Sequence, residues 1–329
     1  MRLLILGGTD FVGRVMAEEA VAAGHEVTVL SRGTRPAPQG VRALVGDRET
    51  DDGLDALDGG EWDAVYDTWT GAPRVVRRSA ALLADRVAHY AYVSTRSVYA
   101  QPTPAGADED APLVDAFADA GFVDYPTNKR GGELAVREFF GDRSLLLRAG
   151  LVLGRYENVG RLPWWLRRIA RGGRVLAPGP RDLPLQYIDA QDLARWTLRA
   201  VDAGVGGAFN TVSPSGHATM DELLTTCVQL TGSDAELVWR TPEEIEAAGL
   251  EPWNQLPVWI PPGELHDTMH RADVSRALAA GLRCRPLRET VADTWEWLSA
   301  GPPVEFTHPR RAAGLTAREE ADALAGPGS

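Results

Sequence analysis

Leu3-Leu4-Ile5-Leu6-Gly7-Gly8-Thr9-Asp10-Phe11-Val12-Gly13 is the stretch on which the fold turns. Its apolar run is far shorter than a signal-peptide core and ends in glycine, so it reads as a strand. From Arg14 to Ala23 apolar residues recur at helical spacing, and Gly24 supplies a stop. Val27 to Leu30 then form a second strand, which completes a βαβ opening. A strand that ends in glycine and passes into a helix aims backbone N–H groups and the positive helix end at one point, where a pyrophosphate can sit. Gly7 and Gly13 suit that role, Gly13 by permitting close approach of helix to strand. Thr9, Asp10, Phe11 and Val12 complete the expected cofactor turn.

Working outward, further short apolar runs alternate with helical patterns as far as residue 150: Ala43 to Val45, Ala64 to Tyr66, Ala88 to Val93 and Ser144 to Arg148. Such alternation predicts an α/β fold, a doubly wound parallel sheet of Rossmann type covered by helices. Beyond Gly150 the rhythm loosens into a tryptophan-bearing helix (Leu162 to Ala170), a Gly-Pro turn at Ala177 to Pro180, and a Pro/Trp-rich loop from Pro252 to Pro262. We therefore expect a dinucleotide-binding domain of residues 1–156 plus 184–214. Residues 157–183 plus 215–303 are expected to form an interleaved, smaller substrate lobe, followed by a polar tail over 304–329 whose last residues fray.

Composition narrows the function classes. The 329 residues are 44% hydrophobic and 24% charged, as in ordinary globular domains. With 46 acidic against 34 basic residues the formal charge is −12, a field that repels phosphate backbones and anionic membranes, so neither is an expected partner. Cys227 and Cys284 stand far apart with no ligand spacing, so no metal site or disulfide is expected, and both read as small buried apolar residues. No apolar run approaches the ~18 residues of a membrane-spanning helix. The expected location is cytoplasmic.

Two positions bear on the cofactor. Rossmann domains that take NAD place an acidic residue at the end of the second strand, to accept from the adenosine 2′-hydroxyl. Here Ser31-Arg32 stands there, and a hydroxyl beside a guanidinium suits a 2′-phosphate. NADP is therefore the expected cofactor, with NAD the alternative. Asp47, just past the third strand, is placed to accept from the adenine amino group.

Tyr125-Pro126-Thr127-Asn128-Lys129 puts a phenol and an ammonium four residues apart, on one face of a helix that Pro126 can open. A lysine cation favours the phenolate of its neighbour. Such a tyrosine can pass a proton to or from a carbinol oxygen while hydride moves at nicotinamide. With the glycine turn, Tyr92-Val93-Ser94-Thr95-Arg96-Ser97-Val98-Tyr99, and Gln186-Tyr187-Ile188-Asp189 before Asp192-Leu193-Ala194, the chain resembles the extended branch of the short-chain dehydrogenase/reductase superfamily, its epimerase/dehydratase-like group. The likeness covers residues 1 to 300.

The resemblance implies that Tyr125 is the acid/base and that Lys129 holds the nicotinamide ribose and tunes Tyr125. It also implies that Thr95 bonds the substrate oxygen, with Ser94 a neighbouring alternative. Ala149 would offer main-chain contacts to the carboxamide. By position alone, Trp164, Arg174, Gln186 and Trp253 join Thr95 as candidates for substrate contact, and a homodimer is the expected assembly. Three departures matter. Asp10 replaces a middle glycine, so the turn must be wider or differently braced. Arg96-Ser97 replaces the Asp-Glu pair of nucleotide-sugar dehydratases, which disfavours dehydration. The opening Gly-Gly-Thr-x-Phe-x-Gly-Arg is also similar to that of chloroplast stem-loop-binding proteins, a group without the Tyr/Lys pair kept here.

These readings lead to an NADPH-dependent reductase or dehydrogenase acting on a carbonyl or secondary alcohol of a small polar metabolite. A nucleotide-sugar epimerase that retains NAD is the alternative within the same branch. A non-catalytic Rossmann binding or regulatory protein is the alternative from another class.

Overall fold

Apolar β-runs ending in glycine or small polar residues generate parallel strands whose C-terminal ends share one edge, and this is the geometry that gathers the candidate site. The computed structural model describes residues 1–301 and 314–325. It divides into two compact units, the first made of residues 1–150, 190–212 and 273–283, the second of 151–189, 213–272 and 284–329.

The first unit holds seven strands: β1 (Arg2–Leu6), β2 (Glu26–Ser31), β3 (Arg42–Val45), β4 (Ala64–Asp67), β5 (His89–Thr95), β6 (Ser144–Ala149) and β7 (Gly207–Thr211). They pair in parallel in the order β7-β6-β5-β4-β1-β2-β3. This is the Rossmann arrangement, and its order reverses between β1 and β4, the crevice where ligands of such sheets bind. The six strands expected from the sequence are all present, with bounds that differ by no more than two residues.

The helices of this unit are α1 (Phe11–Ala22), α2 (Pro73–Leu83), α3 (Tyr125–Phe140), α4 (Ala190–Asp202) and α5 (Ser275–Ala279). α1 begins three residues earlier than the apolar spacing predicts because the Asp10 side chain caps it, accepting from the Phe11 N–H. Gly24, at φ +81°, ends it as expected. α2 packs on α3 and α1 on α4. Under α2 and α3, Leu4, Leu6, Val65, Tyr90, Leu146 and Phe140 are buried in one core, where truncating a leucine to alanine costs about 2–5 kcal/mol.

Residues 273–283 belong to this unit although the sequence placed them in the substrate lobe. The Asp273 carbonyl accepts from Asn210 Nδ2 at 2.9 Å, the Ala280 carbonyl accepts from Trp196 Nε1 at 3.0 Å, and Arg276 reaches Asp110. These are contacts between segments far apart in sequence, with no local signal.

The second unit packs helices Arg161–Ala170, Met220–Thr231 and Leu287–Ala300 around Trp165, Leu166, Ile169, Leu223, Leu224, Val291 and Trp259. Its strand Arg174–Pro178 pairs in parallel with Glu236–Arg240, so Ala177-Pro178 is strand and the expected turn begins only at Gly179. Residues 252–262 are a loop, as predicted, but Trp259 is core: its Nε1 donates to the Gly179 carbonyl at 2.9 Å. The expected polar tail is corrected over 314–325. Helix Ala317–Ala325 lays Glu320 onto Arg168 and the Leu176 N–H, and Leu315 is buried, because that helix carries the carboxylate that a buried arginine requires. The fraying expected of the last residues falls outside the described part. Cys227 is buried and Cys284 half-buried, and neither forms a disulfide. No helix among the described residues is long and apolar enough to cross a membrane.

Candidate active site

The glycine turn follows β1. Gly7 sits at φ +97°, which an L side chain rarely adopts, and a Cβ there would strike Thr68 Oγ1. A Cβ on Gly13 would strike the Gly7 carbonyl, so α1 can start where it does only with glycine at 13. Asp10 supplies the different bracing. Its Oδ1 accepts from the Phe11 N–H at 3.1 Å and from Arg35 Nη1 at 2.6 Å, and Phe11 takes φ +27°. The carboxylate lies at the positive end of α1, and Arg35 offsets its charge toward an incoming anion. Thr9 and Val12 are half-buried beside it. The absent Cβ groups and the half-buried helix start fit a dinucleotide pyrophosphate.

At the end of β2, Ser31 Oγ accepts from the Gly33 N–H at 3.4 Å and Arg32 is exposed. Asp47 makes a tight turn after β3: its Oδ1 accepts from the Glu49 N–H at 3.0 Å. Thr95 ends β5 directly opposite Ala149 at the end of β6. The sheet thus brings Gly7, Ser31, Thr95 and Ala149 to one edge.

Tyr125 opens α3, capped by Asp124, whose Oδ1 accepts from the Thr127 N–H at 2.8 Å. One turn on, Lys129 is buried, and its Nζ donates to the Val93 carbonyl at 2.5 Å and the Trp69 carbonyl at 2.6 Å, 4.8 Å from the Tyr92 ring centroid. Two carbonyls and an aromatic face all favour an ammonium ion. α3 approaches β5 this closely because Gly132 lies against the Tyr92 hydroxyl with no room for a Cβ. Sequence reasoning missed a telling signal here. Lys129 is the only lysine in the 329 residues, so every other cationic side chain is an arginine or histidine. A compact point charge with three rotatable donors is retained at this one place.

Thr95 and Ser94 separate cleanly. Ser94 Oγ donates to Glu133 Oε1 at 2.7 Å inside the core, where Arg148 also pairs with Glu133 through Nε at 3.0 Å and Nη2 at 3.1 Å. Thr95 Oγ1 accepts from the Ser97 N–H at 3.1 Å and lies 3.2 Å from Ser97 Oγ, a neighbour that a substrate oxygen can replace. Burial pushes the Arg96 guanidinium, next in the chain, down to about 10.

Arg48, Asp67 and Trp69 were also missed. Asp67 ends the otherwise apolar β4 and is completely buried, and a buried carboxylate demands partners. Burial drives its carboxyl up, and the Arg48 guanidinium, with bonds from Tyr90 and the Trp69 N–H, more than reverses that, so the net shift is downward.

The remaining candidates lie in the second unit. Gln186 is completely buried, with Nε2 donating to the Ala272 carbonyl at 2.9 Å and Oε1 accepting from the Ala272 N–H at 3.0 Å, so its amide is occupied by main chain. Trp253 holds φ +67° with the Arg161 guanidinium 5.0 Å from its ring centroid. Trp164 packs edge-on against Trp165 at 4.7 Å. Arg174 is exposed at the start of its strand.

Residues 3–211 match the NAD dependent epimerase/dehydratase family. The chain is 32% identical over 213 residues to 2'-dehydrokanamycin reductase of Streptomyces kanamyceticus, a match that covers 62% of this chain and 56% of that relative's length. It is 28% identical over 246 residues to the epimerase family protein SDR39U1 of Bos taurus, covering 68% and 78%. Among solved structures, the Bordetella bronchiseptica enzyme WbmH in complex with NAD+ superposes with a TM-score of 0.66 at 19% identity, covering 91% of this chain and 98% of that one. That likeness concerns the fold, and the sequence match carries the relationship: this chain belongs to the NAD dependent epimerase/dehydratase family.

Proposed function

We propose that the protein is an NADPH-dependent reductase that converts a carbonyl of a small polar metabolite to a secondary alcohol. The observation that carries this reading is the Lys129 ammonium, held by the Val93 and Trp69 carbonyls one helical turn after Tyr125 and packed against the strand that ends at Thr95. The nicotinamide supplies the hydride when bound. Thr95 orients the substrate oxygen, exchanging its contact with Ser97 for one with that oxygen. Tyr125 gives its hydroxyl proton to the same oxygen as hydride reaches the carbon, so the product is the neutral alcohol. The Lys129 cation stabilises the phenolate that this transfer leaves. Ser31 and Arg32, in place of an acidic residue at the end of β2, support the phosphorylated cofactor. The reductase relative supports the direction.

The test is purified enzyme with a panel of small carbonyl compounds, followed at the nicotinamide band. Tyr125→Phe is expected to abolish turnover while NADPH still binds, and unchanged turnover would remove Tyr125 from the mechanism. An enzyme that co-purifies with tightly held NAD and shows no net absorbance change would instead be an epimerase.

A further inference from the structure

Behind the candidate site lies a buried polar chain that the proposed chemistry does not use. Arg48 Nη1 and Nη2 donate to Asp67 Oδ1 and Oδ2 at 2.6 and 2.8 Å, a two-pronged pair with Arg48 6% exposed and Asp67 wholly buried. Three further bonds fix it. Arg48 Nε donates to Ser79 Oγ at 3.1 Å, Tyr90 OH to Asp67 Oδ2 at 2.7 Å, and the Trp69 N–H to Asp67 Oδ1 at 2.9 Å. Trp69 is held at its other end as well: its Nε1 donates to the Ala72 carbonyl at 3.1 Å, and its ring lies under the Arg48 guanidinium at 5.2 Å. What remains of Trp69 is its carbonyl oxygen, which accepts from Lys129 Nζ at 2.6 Å and from Tyr92 OH at 3.1 Å.

A buried ion pair is a poor way to gain stability, since apolar residues of the same volume often do as well. It is a good way to fix direction, because every bond in it is angular and charge-assisted. We propose that Arg48 and Asp67 are positioning residues for Lys129, acting through the main chain of Trp69. Asp67 pins the Trp69 peptide, the Trp69 carbonyl takes one of the three ammonium hydrogens, and the ammonium is thereby held at a fixed place one turn beyond Tyr125. The proposal rests on the catalytic reading of Lys129 for its significance, but the positioning itself can be measured without any substrate.

Because Lys129 is the only lysine, protein labelled with 15N-lysine carries a single side-chain ammonium, and its hydrogen exchange with water can be read without assignment. The full chain is compared with Arg48→Met/Asp67→Asn, which removes both charges together, and with Tyr90→Phe, which removes one bond to Asp67. The expected result is exchange faster by about tenfold in the double variant and about threefold in Tyr90→Phe. Acetylation of Lys129 by an N-hydroxysuccinimide ester, followed by peptide mass spectrometry, should accelerate in the same order. A double variant with the parent's far-ultraviolet dichroism and the parent's exchange rate would overturn the proposal. If the double variant does not fold, an unchanged rate in Tyr90→Phe overturns it equally. Failure of the parent to reduce any carbonyl would sink the reductase reading while leaving the exchange comparison decisive for the relay.

Discussion

Ser94 and Glu133 are joined by a 2.7 Å hydrogen bond in the core, and this bond occupies the first of two adjacent hydroxyls at the end of β5. The pleat of β5 turns successive side chains to opposite faces. With Ser94 committed to the Glu133–Arg148 pair, Thr95 alone stands at the strand end. Ser94→Ala should therefore lower stability by about 1–3 kcal/mol, because a buried carboxylate loses a donor. It should change kcat/KM little. Thr95→Ala should act mainly on the rate, lowering kcat/KM about 10²-fold, while loss of the bond from the Ser97 N–H costs about 1 kcal/mol. Denaturation curves and steady-state rates on the two variants check this, and equal effects on both would contradict it.

Lys129→Arg tests whether charge alone suffices. A planar guanidinium keeps the charge, but it cannot offer compact donors to the Val93 and Trp69 carbonyls in a site built for a smaller group. Turnover should fall about 10²-fold or more, and overpacking should cost about 1–3 kcal/mol. Parent-like rates in a folded Lys129→Arg protein would mean that the ammonium geometry is immaterial.

The proposed preference for NADPH rests on the end of β2. Arg32→Ala should weaken NADPH binding by about tenfold while leaving NADH unaffected, the loss of one charge-assisted bond to phosphate. Dissociation constants for the two cofactors, measured by fluorescence, provide the comparison. Equal weakening of both would show that Arg32 acts elsewhere than on a 2′-phosphate.

Glu157 carries a pH dependence in the second unit. It is completely buried, and its oxygens accept from the Arg161 and Leu162 N–H groups at 2.7 and 3.1 Å. Burial nonetheless pushes its carboxyl up to about 7, with Arg161 and the two N–H groups pulling the other way. Below its ordinary value of 4.5 both folded and unfolded chains hold the proton, and nothing is lost. Between there and about 7 the unfolded chain releases the proton that the folded chain keeps, so stability falls as pH rises and is level above. The full loss is about 3 kcal/mol. Glu157→Gln should gain stability relative to the parent as pH climbs from 5 to about 8. Parallel stability curves for the two proteins would contradict the assignment.

The strands, the glycine turn and the Tyr125/Lys129 spacing were legible because each is a local pattern: a run, a φ requirement, a helical turn. The domain membership of residues 273–283 was not, nor was the docking of helix Ala317–Ala325, since both depend on hydrogen bonds to distant segments. Gln186 shows the same limit. A polar residue after a turn resembles a ligand contact until the structure shows both ends of its amide bonded to Ala272.

By itself, then, the sequence determined a parallel dinucleotide-type sheet and placed a phenol and an ammonium on one helical face. Strand periodicity and glycine chemistry are properties of neighbouring residues. Only the tertiary structure decided that Ser94 is committed to Glu133 and Thr95 is not, that Arg35 offsets Asp10 at the glycine turn, and that Arg48 and Asp67 stand behind Lys129. Each of these is a pairing of charges or donors that lie 25 to 39 residues apart or are linked through a third residue, and no local spacing encodes such a meeting.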